Sequence, residues 1–571
     1  MSERWCLRRG DEKQEQLLQR ELGVSPLLAR LLVVRGYTTP ELASTFLNPR
    51  LRDGLRSPFL FRDMEKAVER VVGAIARGEP IGLFGDYDVD GLSGTALLYC
   101  FLRGLGVSPI VYLPERLREG YGLNAAAVRR LGAQGVRVLI TIDCGGASAE
   151  EIRLARSLGI DTIVCDHHQV APAPLPAIAT LNPASPDSGF PFPGLCGAGT
   201  AFYLAWGISA RLGRENKGAL PQLRDLLDLV SLGTIADLVP LEQENRVLVR
   251  HGLSALSQGK RLGIAALKSV AKVEHVTSGT VAFRLAPRLN ASGRISSASL
   301  AFELLTTEDP QRAIELAENL HETNRERQLL EAAAFNEALA LCRNDRHWPD
   351  RVTVVLASAN WHPGVVGIVA ARLAQKFNRP TAIIALDPDS ETGRGSVRGV
   401  PGVHCYRALL QCGQHLLGFG GHPMAAGFTI AASEIEAFAH AFDHAVRQQR
   451  PRAEQREVWV DGELHLDGSN LEDTAQALMA LEPFGPGNPE PIFFSRNVRL
   501  HAGQAFGSGH LRLFVEQNGR ALPAHWFQWG DAPLPTPEQT YDILFSVEAA
   551  PQRREAPVRL RLVSVRPAKP R

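Results

Sequence analysis

The sequence predicts an α/β protein with a parallel, doubly wound sheet domain, then a long helix, a second α/β domain and a β-barrel. From residue 61, short apolar runs alternate with amphipathic helical segments, a pattern typical of parallel sheets. Residues 311–343 contain neither Gly nor Pro, which favours one uninterrupted helix. From residue 456, alternating apolar and polar residues predict short strands. The 571 residues suffice for three to four domains.

The first domain is predicted to begin at residue 61, after a segment that we interpret as irregular apart from a short helix around 27–34. Apolar runs predict strands at 81–85, 109–114, 136–143 and 161–165. Amphipathic helices are predicted before each of these strands, at 63–77, 93–105, 124–134 and 148–158. Seven prolines between 172 and 193 indicate an extended surface loop, and helical sequence resumes from 198 to about 270.

A long helix is predicted to divide the rest of the chain. Over 311–343 it would be about 50 Å long, which suits a connection between two lobes. Strands at 352–358 and 380–386 flank a predicted helix at 365–377 and begin the second α/β domain. Five alternating segments after 456 predict a small barrel. The predicted domain bounds are 1–60, 61–300, 301–345 for the connecting helix, 346–450 and 455–571.

Composition excludes several classes of protein. With 45% hydrophobic and 22% charged residues, the chain is neither mainly disordered nor a rod. A formal charge of +1 excludes a globally basic nucleic-acid binder, so any polyanion site must be a local patch. Eight single cysteines without a C-x-x-C motif argue against disulfides and against cysteine-bound zinc. We find no membrane-spanning run and no signal-peptide core, so a cytoplasmic protein is expected.

Four short motifs carry acidic and imidazole side chains. They are GDYDVDG at 85–91, TIDCGG at 141–146, CDHHQ at 165–169 and SLGTIADLVP at 231–240. Three of them follow predicted strands, and open parallel sheets bind ligands at the carboxyl ends of their strands. An EF-hand loop is excluded for the first motif, because its twelfth position is Leu97 instead of a bidentate Glu. Singly, each motif has an ordinary explanation, such as a helix cap or a polar surface.

Together the four motifs favour a metal site. The potential ligands are Asp86, Asp88, Asp90, Asp143, His167, His168 and Asp237. Clustered carboxylates repel one another without a cation, and this set is larger than a single ion needs. Mixed carboxylate and imidazole ligands without thiolate suit Mn²⁺ or Mg²⁺ better than structural zinc. A pair of divalent cations is typical of enzymes that displace a phosphoryl group.

In this order, the four motifs resemble those of the DHH phosphoesterase superfamily. GSVRG at 395–399 and GGHPMAAGF at 420–428 resemble the associated DHHA1 domain. WHPGVVGIVAARL at 361–373 and PRLNASGR at 287–294 are similar to the bacterial RecJ exonucleases that act on single strands. The resemblance runs from about residue 20 to the C-terminus, and the family's OB-fold domain corresponds to the predicted barrel.

The resemblance implies roles for the metal-site residues. One cation would take Asp86, Asp88 and Asp143, and the other would take Asp90, Asp143, His167 and Asp237. Asp143 would therefore bridge the two cations. His168 would stay off the metals and donate a hydrogen bond to the developing charge on the scissile phosphate. Asp166 would orient the imidazole of His167, and a water molecule activated by the cations would be the nucleophile.

The substrate side needs positive charge and contact surface. The candidate residues for nucleic-acid binding are Arg116, Tyr121, Arg288, Arg294, Ser396, Arg398 and His422. Arginine binds phosphate through two parallel hydrogen bonds, and the resemblance implies that Arg116, Ser396 and Arg398 hold a 5′ end. The glycines around His422 favour close approach of a strand. On the barrel, seven basic residues within 553–571 and the rings of Trp526, Phe527 and Trp529 indicate a possible stacking surface.

The activity that the resemblance implies is a two-metal 5′→3′ exonuclease that degrades single-stranded DNA to 5′-mononucleotides in recombination and repair. Its implied partners are single-stranded DNA with a 5′ end, a single-strand-binding protein and a helicase. One alternative is a DHH phosphodiesterase for short oligonucleotides or cyclic dinucleotides, which would not need the long helix and the barrel. The other is a catalytically silent single-strand-binding scaffold, which the intact acidic positions argue against.

Overall fold

The computed structural model describes residues 3–169, 174–214, 220–344, 348, 350–449, 457–466, 471–506, 509–527, 529, 534–536, 538–549 and 558–568. The chain forms two compact units. The two-sheet unit comprises the described residues of Pro58–Asp237 and Gly252–Glu454. The barrel unit comprises those of Met1–Ser57, Leu238–His251 and Gln455–Arg571.

The strands are β1 (Arg4–Leu7), β2 (Ile81–Gly85), β3 (Ile110–Tyr112), β4 (Val138–Ile142), β5 (Asp161–Cys165), β6 (Ala179–Leu181), β7 (Val354–Ser358), β8 (Thr381–Asp387), β9 (Thr392–Arg398), β10 (Gly418–Gly421), β11 (Ala425–Ala431), β12 (Glu457–Val460), β13 (Gly462–Glu463), β14 (Phe493–Phe506), β15 (His510–Gln517), β16 (Arg520–Trp526), β17 (Thr540–Ala549) and β18 (Val558–Pro567).

The helices are α1 (Glu12–Leu22), α2 (Pro26–Val33), α3 (Pro40–Leu47), α4 (Leu51–Gly54), α5 (Met64–Arg77), α6 (Val89–Gly104), α7 (Arg116–Glu119), α8 (Ala125–Ala133), α9 (Ala149–Ser157), α10 (Gly197–Arg214), α11 (Leu227–Ala236), α12 (Gln243–Gln258), α13 (Leu262–Val270), α14 (Ser278–Thr280), α15 (Ala286–Ile295), α16 (Ser299–Thr306), α17 (Pro310–Asn344), α18 (Val366–Phe377), α19 (Cys405–Gln411), α20 (Ile435–Gln449) and α21 (Leu471–Leu481). A π-helical turn (Val281–Leu285) joins α14 to α15. No described helix combines the length and the apolar character that crossing a membrane requires.

The first sheet of the two-sheet unit confirms the predicted parallel sheet. Its strand order is β3-β2-β4-β5-β6, and every neighbouring pair is parallel. Strands β2 and β4 are buried along their whole length, as expected for apolar runs covered by helices on both faces. Helices α8 and α9 pack on one face, and α5, α6 and α10 pack on the other. All strands therefore end at the same edge of the sheet.

The second sheet is mixed. Its order is β10-β11-β9-β8-β7, with β7 and β8 parallel and the other neighbours antiparallel. Helix α17 is about 52 Å long and confirms the long helix, but it is more than a connection. It packs against α13, α15 and α16 near its start and against α18 near its end. The apolar contacts of α17 thus hold both lobes of the two-sheet unit together.

The barrel unit contains the predicted barrel, closed in the order β14-β15-β16-β18-β17 and back to β14. Strand β16 was not among the predicted segments, and Pro523 within it argues against a strand by local rules. The interpretation of residues 1–60 as irregular was wrong. Three of their helices begin with a capping side chain, and two of these caps are the Ser-Pro and Thr-Pro pairs typical of helix starts. Leu18 and Leu28 share the apolar core of the barrel.

Candidate metal centre

The carboxyl ends of three parallel strands bring the acidic motifs together. Asp86 follows β2, Asp143 follows β4, and Asp166 begins the segment after β5. Asp237 enters the same place from the end of α11. Asp143 has a φ of 62°, a left-handed conformation that is uncommon for a residue with a side chain and concentrated at functional sites. The edge of the first sheet therefore brings the four motifs together, three of them at strand ends as expected for a parallel sheet and the fourth at a helix end.

The side chains form overlapping sets of potential metal ligands. Ligand atoms lie within 4.8 Å of one another in the sets Asp86–Asp88–Asp143, Asp90–His167–Asp237 and Asp143–His167–His168. The first set has the residues expected for one cation, the second has those expected for the other except Asp143, and the third also includes His168, which the resemblance keeps off the metals. His167 Nε2 lies 3.1 Å from Asp143 Oδ1, 3.5 Å from Asp237 Oδ2 and 3.7 Å from Asp90 Oδ2. Asp143 therefore lies close both to the first set and to His167 of the second.

Backbone and side-chain donors hold the first motif in place. Asp88 caps α6, and its Oδ1 accepts hydrogen bonds from the N–H groups of Asp90 (2.9 Å) and Gly91 (3.2 Å). The N–H of Val89 donates to Oδ1 of Asn290, at 3.1 Å. These bonds satisfy the first N–H groups of the helix and leave the second carboxylate oxygen of Asp88 for another partner. Asn290 thus fixes the start of α6, a role that was not predicted from the sequence.

The start of α10 holds Asp90. Its carboxylate accepts hydrogen bonds from the N–H groups of Gly197 (2.6 Å) and Ala198 (2.8 Å), the usual environment of an anion at a helix N-terminus. A Cβ atom on Gly197 would lie 2.6 Å from the Cβ of Asp143, which is too close. A glycine is therefore required here for close approach, and the only sequence signal was the LCGAG segment at a helix start.

Replacing Gly197 with alanine is expected to displace Asp143 and weaken Mn²⁺ binding by about ten- to a hundredfold, as for other residues that support metal ligands. The measurement is a Mn²⁺ titration by calorimetry. Gly213→Ala is the control, because it lies on the same helix and its added methyl would meet the nearest side-chain atom at an ordinary 3.6 Å. Equal Mn²⁺ affinity in both variants would contradict the role of Gly197.

Burial of these ionised carboxylates would cost free energy if no cation were bound. It raises the pKa values of Asp86 and Asp143 well above their usual range, and neighbouring carboxylates raise them further. Burial and the charges of Asp90 and Asp88 raise the pKa of Asp237 to about 9. Among the described residues, no hydrogen-bond donor reaches the buried Oδ1 of Asp86. The residues therefore fit divalent cations, which would satisfy this oxygen and neutralise the charges.

The two histidines have different environments. Burial lowers the pKa of His167, so its imidazole is neutral, the form that binds metals. For His168, burial lowers the pKa, but the hydrogen bond and the charge of Asp166 outweigh it and raise the pKa overall. His168 Nδ1 lies 2.8 Å from Asp166 Oδ1 and 3.0 Å from the hydroxyl of Tyr121. The two imidazoles thus differ in burial, in hydrogen-bond partners and in the direction of their pKa shifts.

The role expected for Asp166 was wrong in one respect. Its carboxylate contacts the imidazole of His168 and not that of His167. The Asp166 side chain turns back over the following backbone and accepts hydrogen bonds from the N–H groups of His167 (2.7 Å) and His168 (3.1 Å). These bonds place its carboxylate beside the imidazole of His168. The N–H of Gly146 also donates to Asp166, at 2.7 Å. These bonds outweigh the effect of burial and lower the pKa of Asp166 to about 2.

Two predicted strand-binding residues lie beside His168. The hydroxyl of Tyr121 donates to the carbonyl oxygen of Asp143, at 3.1 Å, and the residue is 54% exposed. The imidazole of His422 comes from the turn between β10 and β11 and lies nearly parallel to that of His168, with ring centroids 5.8 Å apart. His422 therefore brings the second sheet to the metal centre of the first.

Arginines from three elements meet near this centre. Arg116 starts α7, Arg294 lies near the end of α15, and Arg398 ends β9. Burial, and then the charges of neighbouring arginines that include Arg116 and Arg398, lower the pKa of Arg294 to about 10. Burial and Arg116 likewise lower the pKa of Arg398, whose Nη1 donates to Ser396 Oγ at 2.7 Å. In the described part of the chain, none of these three arginines forms an ion pair.

The remaining predicted contacts lie elsewhere. Nε of Arg288 donates to His321 Nδ1, at 3.1 Å, so Arg288 is not part of the arginine group. On the barrel, Trp526 and Trp529 pack against the core, whereas Phe527 is 41% exposed. The basic residues that the structure describes there are each paired with an acid, namely Arg559 with Glu548, Arg561 with Glu490 and Arg566 with Asp542. Arg553, Arg554, Lys569 and Arg571 lie outside the described residues.

Family models match three parts of the chain. The DHH family, N-terminal domain, matches residues 80–234, the DHHA1 domain matches 350–448, and the RecJ OB domain matches 460–563. The single-stranded-DNA-specific exonuclease RecJ of Escherichia coli (strain K12) is 37% identical over 537 residues, which are 91% of each chain. RecJ of Bacillus subtilis (strain 168) is 35% identical over 92% of this chain and 66% of that protein.

Solved structures show the same likeness. RecJ of Thermus thermophilus in complex with Mn²⁺ matches with a TM-score of 0.84 and 30% identity, over 100% of this chain and 80% of that chain. The Mg²⁺ complex of the same protein matches with a TM-score of 0.78 and 28% identity, over 100% of this chain and 79% of that chain. Sequence and fold thus agree over nearly the whole chain, and this chain belongs to the RecJ family of single-stranded-DNA-specific exonucleases.

Proposed function

We propose that this protein is a 5′→3′ exonuclease that hydrolyses single-stranded DNA to 5′-mononucleotides and depends on two divalent cations, Mn²⁺ or Mg²⁺. One observation carries the proposal: a cluster of buried carboxylates lies beside three arginines without acidic partners among the described residues. The carboxylates suit cations, whereas the arginines suit a phosphate group. A strand whose 5′ phosphate lies at the arginines would present its first phosphodiester to the carboxylate cluster.

The proposed ligands follow from the two ligand sets. Asp86, Asp88 and Asp143 would hold one cation, and Asp90, His167 and Asp237 would hold the other together with Asp143. The cations would stabilise charge on the attacking and leaving oxygens of the phosphoryl displacement. The ionised carboxylate of Asp166 keeps a proton on Nδ1 of His168, and the raised pKa of His168 favours a second proton on Nε2. His168 would therefore donate a hydrogen bond to the phosphate as charge develops.

Neither alternative function is favoured. The relatives named above are single-stranded-DNA-specific exonucleases, and their similarity extends through the barrel that a small substrate would not need. Each acidic position of the metal centre is present, which argues against a silent scaffold. We propose the predicted bounds 61–300 and 346–450 for the two domains that form the catalytic region. We also propose that the protein is cytoplasmic, which is consistent with its eight free thiols. A single-strand-binding protein and a helicase remain its predicted protein partners.

The test uses end-labelled single-stranded and duplex DNA, with and without a 5′ phosphate, in Mg²⁺ and in Mn²⁺. We expect mononucleotides to be released from the 5′ end of the single strand and little cleavage of the duplex. Cleavage of dinucleotides alone would support the phosphodiesterase. Strand binding without any cleavage in either metal would support the scaffold.

The division of roles between the two histidines gives a further prediction. His167→Ala should raise the Mn²⁺ concentration needed for half-maximal activity, and excess Mn²⁺ should partly restore the rate, because a ligand is lost. His168→Ala should leave Mn²⁺ binding intact but lower kcat on the order of 10²- to 10³-fold, as the loss of one hydrogen bond to the transition state does. Activity measured against Mn²⁺ concentration separates the two cases. If Mn²⁺ instead rescues His168→Ala alone, the assigned roles are reversed.

A further inference from the structure

Phe283 is a large aromatic side chain that lies almost entirely in solvent. It is 81% exposed, and no other large hydrophobic side chain in the described ranges is as exposed. It lies in the π-helical turn Val281–Leu285, within an unbroken helical run from Ser278 to Ile295. Such wide turns are rare and frequently mark functional sites. A solitary exposed ring is ordinary in itself, so its neighbours along the helix decide its meaning.

The helical run connects Phe283 to the candidate metal centre. Positions 287, 290 and 294 of α15 are separated by three and four residues, so they follow one face of that helix, and Phe283 lies about one turn before them in the same helical run. On this face, Asn290 holds the N–H of Val89 in the metal-binding loop. Arg294 lies among the arginines of the proposed phosphate pocket. From Arg294 back to Phe283 the helical run covers about 16 Å and ends at a side chain exposed to solvent.

The charges beside Phe283 suit a polyanion. Arg284 is the next residue and Arg288 lies about one turn further along, and in the part of the chain that the structure describes neither forms an ion pair with a carboxylate. The guanidinium of Arg284 instead donates to the carbonyl oxygen of Ala271, and that of Arg288 donates to His321 Nδ1. An exposed ring between unneutralised cations is the arrangement with which proteins bind single strands, because the bases stack and the phosphates meet the charges.

We propose that Phe283 is a stacking platform for a base of the bound single strand, on the 3′ side of the scissile bond. The proposal rests on the proposed function, because a 5′ end held at Arg398 requires the rest of the strand to leave the site. The helical run from Arg294 back to Phe283 leads from that pocket to a ring exposed to solvent. A stacked base at its outer end would hold the strand in place between cleavage events, while Arg284 and Arg288 contact the adjacent phosphates.

The test compares Phe283→Ala with Phe283→Trp and with Leu329→Ala, a control that removes another exposed side chain (69%) on α17. On single strands of about 20 nucleotides, Phe283→Ala should raise KM about five- to a hundredfold, the range for one lost stacked base. Phe283→Trp should keep KM near the wild-type value, because it retains a stacking face. The effect of Phe283→Ala should decrease as the strand is shortened until it no longer reaches the ring.

A second measurement locates the stacked base. Single abasic sites are placed at successive positions from the 5′ end, and KM is measured for the wild type and for Phe283→Ala. At one position, the abasic site should raise KM of the wild type but add nothing in the variant, because the same contact is already absent. Additive effects at every position, or equal KM in Phe283→Ala and Leu329→Ala, would overturn the stacking role. A wild-type protein that degrades no strand at all would instead refute the proposed function.

Discussion

Asp143→Ala is expected to lower kcat on single-stranded DNA on the order of 10³-fold or more, because it removes a ligand that both cations would share. The carboxylate of Asp143 belongs to the set with Asp86 and Asp88, and its Oδ1 lies 3.1 Å from Nε2 of His167. Removal of a ligand at the edge of the cluster would disturb one cation, whereas removal of a shared ligand would disturb both. Strand binding in EDTA should persist, because the arginine pocket does not include Asp143.

The control for this variant is Asp161→Ala. Asp161 starts β5 at the opposite edge of the same sheet, where its carboxylate pairs with Arg70, so its loss changes a charge without touching the cluster. Single-turnover rates at saturating Mn²⁺ separate a defect in chemistry from weaker metal binding. Turnover of Asp143→Ala within tenfold of the wild type under these conditions would show that Asp143 does not bridge two cations.

The positions of the acidic residues could be predicted from the sequence, because strand ends have a recognisable pattern. Asp86, Asp143 and Asp166 each follow an apolar run, and parallel strands place such residues at one edge. The donors that hold these side chains could not be predicted in this way. Gly197 and Ala198 act through their backbone N–H groups, which every residue except proline carries. Asn290 acts from a distant helix, so nothing in its local sequence marks the contact with Val89.

The wrong assignments have physical causes of a similar kind. A carboxylate next to two histidines can reach either imidazole. Asp166 contacts the imidazole of His168 because its side chain turns over the backbone that follows it. Strand β16 contains Pro523, which by local rules argues against a strand, yet the closed barrel accommodates it. The helices of residues 1–60 are short, and their burial against the barrel core stabilises them more than their local sequence does.

The polarity of the proposed exonuclease depends on recognition of a strand end. A 5′ phosphate carries about two negative charges and needs fixed cations. Arg398 is half-buried near Arg116 and has no acidic partner among the described residues. Burial and the charge of Arg116 lower its pKa, so a bound anion would offset the repulsion between the two guanidinium groups. Arg398 lies on the second sheet and the carboxylate cluster on the first, and the two meet within one compact unit. A strand end held at Arg398 would therefore fix which phosphodiester is cleaved, and in which direction.

Arg398→Ala should reduce the preference for 5′-phosphorylated over 5′-hydroxyl strands, because it removes one or two charge-assisted hydrogen bonds to the phosphate. Each such bond contributes about 1.5–3 kcal/mol to the free-energy difference between the two strand types. The measurement is the ratio of kcat/KM for the two strand types in the wild type and in the variant. Arg394→Ala is the matched control, because it removes an exposed arginine from the same strand and the same face as Arg398. An unchanged ratio in Arg398→Ala would show that the 5′ phosphate is recognised elsewhere. Arg116, whose guanidinium lies 5.0 Å from the centre of the Tyr87 ring, next to Asp86 and Asp88, would then be the residue to replace.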